Sequence, residues 1–279
     1  MRPMPLDQEE ELYHDHDAKE MSFFDHVDEL RKHLFRAVVA ILVGTIAAFI
    51  QKSLIFDTLI FGPKRTDFWT YRMLCDLSHR IYQDDTMCMQ DIGFVVSNIT
   101  MSGQFTQHLY VAFIAGLILA FPFILWEVWK FIRPALKKSE RNKIRGVVFY
   151  SSLLFFLGIL FGYYFLTPVS LSFLGSYRVS EEVINEINLE SYIDFVATLT
   201  LATGVVFELP VVVFFLAKLG VMGSAFMQKY RRHAFLVILI VAAVVTPPDV
   251  TSQVLMTIPL YGLYELSILI AARVERNKK

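Results

Sequence analysis

Six apolar runs, with one acid set inside the fourth, limit what this chain can fold into. The runs are Leu34 to Ile50, Leu109 to Ile132, Gly146 to Leu166, Phe195 to Ala217, Ala234 to Thr246 and Val254 to Ala272. A hydrocarbon layer roughly 30 Å thick takes about 20 apolar residues of helix to cross. A helix also satisfies its own backbone where no water can do so. Five runs approach that length. The fifth holds about 13 residues and reaches only about 20 Å at 1.5 Å per residue. It is therefore expected to be buried by its neighbours, or to sit where the bilayer thins. Glu208 stands in the fourth run, within Val205-Val206-Phe207-Glu208-Leu209-Pro210-Val211. A carboxylate at that depth costs a few kcal/mol or more unless it is protonated, paired or facing water. No Lys or Arg lies at comparable depth in any run. Glu208 is thus expected to be a functional polar site on a water-accessible bundle face, with Pro210 loosening the backbone beside it.

Composition agrees with this reading: 55% of the 279 residues are hydrophobic and 19% charged, too apolar for a soluble single domain. The expected fold class is all-α, a polytopic membrane protein with six transmembrane helices in a concave bundle. One transmembrane domain covers residues 23–273, between an acidic tail (1–22) and a short basic one (274–279). Outside loops fall at 51–108, 167–194 and 247–253. Charge orients the bundle. Of the 26 Lys and Arg, only Lys52, Lys64, Arg65, Arg72, Arg80 and Arg178 lie on the outside, and the stretch Lys130 to Arg145 opposite is densely basic. The positive-inside rule then puts both termini in the cytoplasm. No cleavable signal peptide is expected, because the first apolar run follows an acid-rich stretch. The His residues of that tail belong to a solvated segment rather than a metal site.

Cys75 and Cys88 share the first outside loop, in the compartment where disulfides persist, and a bridge between them is expected. Apolar residues Leu74, Leu77 and Ile81 give that loop a helix lying on the membrane surface or bundle. A second short helix, opened by Ser180 with Glu181 and Glu182 in its first turn, is expected in the next outside loop. Glu127 and Glu265 lie near the cytoplasmic ends of their helices. There they are either interfacial, snorkelling to water, or functional. Trp69, Trp126 and Trp129 suit interfacial aromatic belts. No phosphate-binding loop, His-Glu-x-x-His, Cys-x-x-Cys or Gly-x-Ser-x-Gly element occurs, so no enzyme activity, cofactor, metal or nucleic-acid partner is expected.

Two basic-side segments are more specific. Phe24-Asp25-His26-Val27-Asp28-Glu29-Leu30-Arg31-Lys32-His33-Leu34 precedes the first run, and Phe131-Ile132-Arg133-Pro134-Ala135-Leu136-Lys137-Lys138-Ser139-Glu140-Arg141 follows the second. With Ala115 to Pro122, Phe207-Glu208-Leu209-Pro210 and Thr246-Pro247-Pro248-Asp249-Val250, these stretches resemble the TatC family, the polytopic core of the twin-arginine protein translocase. The resemblance runs from about Phe23 to Arg273. The long Cys-containing loop and the acidic N-terminal tail depart from the family pattern.

The resemblance implies a core receptor subunit of the bacterial cytoplasmic (inner) membrane. Such a subunit binds paired-arginine signal peptides of folded cargo and organises single-span TatA/TatB-type subunits in a multi-copy complex. Export is driven by the proton-motive force. It further implies that Glu29, Leu30, Arg31, Phe131, Pro134 and Glu140 form the signal-peptide site and that Thr246 and Gln253 border a partner-subunit contact. Chemistry supports the two acids, since a carboxylate gives a guanidinium a bidentate match. Pro134 interrupts helical continuation and shapes the loop holding Glu140. Two other classes are weighed. A proton-coupled small-molecule transporter would explain Glu208, but calls for more intramembrane polar residues and repeat symmetry. An insertase-type scaffold calls for a positive charge in a groove open to the cytoplasm.

Overall fold

The computed structural model describes residues 23–81, 84, 88, 94–132, 144–183 and 185–276. The elements are helical except for one short strand pair. Helix α1 (Phe23–Ile50) ends in a π-helical turn (Leu54–Ile60) and a 3₁₀ turn (Gly62–Lys64). Then come α2 (Trp69–Ile81), β1 (Val95–Ser97) and α3 (Gly103–Ile132). Helix α4 (Ile144–Phe161) passes through a π-helical stretch, Gly162–Leu166, into α5 (Thr167–Ser176). Strand β2 (Glu186–Asn188) leads into α6 (Leu189–Val206) and α7 (Leu209–Leu219). A short α8 (Ser224–Lys229), α9 (Arg231–Val245) and α10 (Val250–Arg276) complete the order.

Five helical segments are long and apolar enough to cross a membrane: His26–Ile50, Gly103–Ile132, Gly146–Ser176, Leu189–Lys218 and Val250–Arg276. The fifth apolar run of the sequence is α9, only 15 residues long. Its neighbours do not bury it: only Ile238 and Ala242 are covered, while Phe235, Leu236, Val237, Ile240 and Val244 face outward. Of the two expectations for this run, burial is the one the structure overturns. A single stripe packs inward and the rest remains an apolar outer surface.

Two pairs of glycines set the closest helix contacts. A Cβ on Gly116 of α3 would sit 2.5 Å from the Thr45 backbone nitrogen, and one on Gly44 of α1 2.9 Å from the Gly116 carbonyl. Small residues let membrane helices meet backbone to backbone, and α1 and α3 do so here. Gly158 of α4 and Gly204 of α6 repeat the device, with a Cβ on Gly158 falling 2.8 Å from the Gly204 Cα. Gly220, at φ 80°, ends α7 in the left-handed conformation, and its N–H closes onto the carbonyls of Ala217 and Leu216.

At one end of the bundle His26 stacks on Phe131, Trp129 on Phe215, and Ser224 bonds Glu275. Lys130, Lys218, Arg231 and Arg273 belong to this basic end. The opposite, acidic end is capped by α2 and the strand pair. Tyr71 is the buried anchor of α2, its hydroxyl 3.0 Å from the carbonyls of both Pro63 and Pro168. Burial pushes that phenol above the usual tyrosine range. The packed face of α2 is thus Thr70, Tyr71 and Ser78, whereas Leu77 turns outward. The expected helix over Leu74, Leu77 and Ile81 forms, and its packed anchor is the tyrosine that two ordered carbonyls hold.

Strands β1 and β2 pair in parallel, Val95 with Glu186 and Ser97 with Asn188. The Asn188 side chain then accepts from the Glu190 N–H and caps α6. No helix forms at Ser180. Its hydroxyl accepts the Glu182 N–H at 3.3 Å in a local turn, and the chain goes on to the strand instead. The helix through the third run also continues past Leu166 to Ser176, so its end lies inside the segment read as loop 167–194, just as α3 begins inside 51–108. Pro168 falls where the π-helical stretch passes into α5, and it cannot donate to the helical ladder there.

Candidate functional site

On the basic end, α1 and α3 run antiparallel and bring the His26 to His33 stretch of α1 against Phe131. The Phe131 ring stacks on His26 at 4.4 Å and meets His33 edge-on at 6.3 Å. Residues 26, 29 or 30, and 33 recur at helical spacing, so Glu29 falls between the two histidines. Its Oε2 is shielded from solvent and has no hydrogen-bond partner among the described residues. Leu30 is 45% exposed, leaving an apolar side chain next to that acid. Arg31 turns away to Asp28 at 3.9 Å, with both side chains in solvent. Such an exposed pair contributes little, and Glu29 forms no ion pair among the described residues. Pro134 and Glu140 lie outside the described residues.

One turn deeper sits a residue that the sequence left between two readings. Glu127 is buried, 2% exposed, and is neither interfacial nor snorkelling. His33 Nδ1 lies 2.6 Å from its Oε2, Lys130 Nζ donates to its Oε1 at 3.0 Å, and Arg36 stands at 3.7 Å. Charge-assisted bonds of this kind are what permit a carboxylate to be buried. Glu265 behaves otherwise, accepting from Arg231 at 2.8 Å in a partly exposed pair. Trp129 is likewise not part of an interfacial belt: it is 5% exposed and packs on Phe215 at 4.3 Å.

Glu208 occupies the break between α6 and α7. Pro210, in the first turn of α7, cannot donate to the helical ladder. Phe207 and Glu208 close the preceding helix with their own N–H groups, bonding Thr203 and Val205. The half-buried carboxylate accepts from Ser151 of α4 at 2.5 Å through Oε2, while Oε1 is shielded and without a partner among the described residues. No cation pairs with it among the described residues. A cavity of about 480 Å³ opens nearer the acidic end, lined by Ala47, Ala115, Ile118, Leu160, Tyr163 and Thr200. Glu208 does not line it, so acid and cavity are separate features.

Thr246 and Gln253 flank the α9–α10 turn. Thr246 is buried and donates to the Ala242 carbonyl at 2.9 Å, and the Gln253 amide reaches the Leu239 carbonyl at 3.4 Å. Asp249, which drew no separate role from sequence, joins them: its Oδ1 accepts the Ser252 N–H at 2.6 Å, and Ser252 meets Ser170 at 2.7 Å. An acid three residues before the N–H it accepts is the available sequence signal for this cap. At the acidic end Cys75 and Cys88 are joined, Cα to Cα 4.3 Å. His79 lies 3.8 Å from Cys88 Sγ. These three are the potential metal-donor group among the described residues, but both sulfurs are committed to the bridge.

Comparison with known proteins converges on one family. The family model "Sec-independent protein translocase protein (TatC)" matches residues 25–259. A Sec-independent protein translocase protein TatC from Blattabacterium sp. subsp. Periplaneta americana is 39% identical over 94% of this chain and 99% of its own length. The Helicobacter pylori (strain 26695) protein of the same name is 35% identical over 91% of this chain and 88% of its own. A crystal structure of a twin-arginine translocase receptor TatC in DDM superposes with a TM-score of 0.67 and 29% identity, covering 88% of this chain and 99% of that one.

Proposed function

Because the chain belongs to the TatC family, we propose that it is the core receptor subunit of a twin-arginine translocase. It is a multi-pass protein of the bacterial inner membrane and a transport protein, not an enzyme. On this reading both termini and the basic end face the cytoplasm, and α9 serves as a sixth span. Paired-arginine signal peptides of folded cargo dock at that end. Single-span TatA/TatB-type subunits assemble on the bundle, and the proton-motive force drives export.

The observation that carries the reading is Glu29. Its Oε2, without a partner among the described residues, lies between the two histidines that flank Phe131 and next to the exposed Leu30, at the basic end. A guanidinium can satisfy that oxygen with a charge-assisted bond, and the apolar neighbours suit the hydrophobic stretch of a signal peptide. Glu140 supplies the second carboxylate for the second arginine, with Pro134 shaping its loop. The outward apolar face of α9, tied to α10 by the Gln253 amide on the Leu239 carbonyl, offers a surface for a single-span helix. Glu208 provides a polar contact within the membrane for whatever helix or hairpin enters there. Site-specific crosslinking of a paired-arginine precursor to membranes tests the docking. Glu29→Gln and Glu140→Gln should each lower the yield about tenfold, the worth of one charge-assisted bond. Full yield from both variants defeats the reading.

A further inference from the structure

The contact between α1 and α3 follows one register. Four residues separate Glu29 from His33 on α1, and four separate Glu127 from Phe131 on α3. Eleven more take His33 to Gly44, and eleven lead back from Glu127 to Gly116. The Gly44–Gly116 crossing, the His33–Glu127 bond and the Phe131 ring set between His26 and His33 therefore follow one antiparallel register, which puts Glu29 level with Phe131. The glycine crossing brings the backbones together, but smooth backbone surfaces impose little directional preference on rotation or sliding. The His33–Glu127 bond is directional. Glu127 is almost fully buried and held at 2.6 Å by His33, with Lys130 gripping its other oxygen and Arg36 nearby.

A buried ion cluster is weak evidence for stability, since a packed apolar side chain often serves as well. What it supplies is geometry, because a recognition site works only when its groups are held close to the productive arrangement. We propose that Glu127 is a positioning residue: through His33 it locks α1 to α3 one helical turn below Glu29 and Phe131, fixing the spacing that a signal peptide meets. This inference rests on the docking reading above and names the element that holds that site in shape. Phe131 itself joins the lock to the site, its ring lying between His26 on the outer side and His33 on the inner.

The test uses the full chain in membrane vesicles. A reporter with His26→Cys and Phe131→Cys is treated with a short bis-thiol reagent, the native cysteines being paired at the opposite end. Glu127→Ala and His33→Ala should each reduce reporter crosslinking roughly fivefold, whereas Glu127→Gln, which keeps an acceptor for His33, should retain most of it. With His26 and Phe131 restored, affinity for a synthetic paired-arginine signal peptide should fall about tenfold in the Ala variants and recover in Glu127→Gln. His33→Ala leaves Glu127 its Lys130 and Arg36 partners, so it decides the matter if the Glu127→Ala protein does not accumulate. Unchanged reporter crosslinking in the Ala variants overturns the lock. Reduced crosslinking with unchanged peptide affinity, while Glu29→Gln still weakens binding, reduces Glu127 to a packing role and overturns the positioning. If Glu29→Gln leaves peptide affinity unchanged while the reporter still responds, the docking reading fails and the lock itself stands.

Discussion

Ser151 of α4 donates its hydroxyl hydrogen to Glu208 at 2.5 Å, across the helix contact that the Gly158–Gly204 pair draws tight. One carboxylate oxygen is thereby fixed by the protein, while the other has no partner among the described residues. The arrangement orients the acid, and no cation pairs with it among the described residues. This divides the side chain into a held half and an offered half, the pattern of a group kept for an incoming ligand or helix.

Glu208→Gln should retain partial export, because the amide keeps an acceptor for Ser151 and gains a donor of its own. Glu208→Ala should accumulate normally and lose export, measured as processed cargo outside the inner membrane. Ser151→Ala should give an intermediate loss by freeing the carboxylate to rotate. Normal export by the Glu208→Ala protein contradicts the role assigned to the acid.

Gly116→Leu should prevent α1 from seating on α3. The position already lies at backbone contact, so added bulk has nowhere to go, and overpacking costs about 1–3 kcal/mol or more. Gly146→Leu, at a glycine with open space around it, should behave as the wild type. Thermal aggregation profiles of the two proteins in mild detergent give the comparison.

Asp249→Ala should remove the cap on the first turn of α10, at a cost of about 1 kcal/mol. The α9–α10 hairpin should then become more susceptible to proteolysis near residue 249, with Asp249→Asn close to the native protein. Equal protease resistance in all three rules out the cap as a determinant of the turn.

Cys75→Ser should lower thermal stability by up to about 3 kcal/mol, the entropic worth of a loop of this size, and Cys88→Ser should match it. The double variant should be no worse than either, because the loss belongs to the pair. Alkylation of unreduced protein from its own membrane should find neither thiol free.

Much of this molecule could be read from hydrophobic length and charge alone. The long runs became the spans, and Pro210 beside Glu208 became a helix break, because bilayer thickness and the missing proline N–H act locally. What could not be read depends on partners distant in sequence. The expected α2 forms, but the residue that anchors it, Tyr71, is picked out only by the distant carbonyls of Pro63 and Pro168. Ser180 opens a turn rather than a helix because the chain beyond it pairs with Val95 to Ser97. Glu127 read equally well as interfacial or functional until His33, 94 residues away, stood against it. At the site itself, Glu29 and Phe131 were singled out by motif, but the register that sets Phe131 between His26 and His33 runs through the Gly44–Gly116 contact, which the sequence does not display.

The strand pair carries a consequence for how the protein is made. Val95 to Ser97 precede α3, and Glu186 to Asn188 precede α6, so roughly ninety residues and two complete spans are synthesised between the two halves of the seam. A parallel pairing needs such a crossover and cannot be closed by a local hairpin. Newly inserted chain therefore has an unfinished acidic-end surface until the second strand has been delivered to the same side of the membrane as the first. Only then does Asn188 begin the helix that carries Glu208. Sealing of that surface thus waits until the chain through the Gly146–Ser176 span has been made.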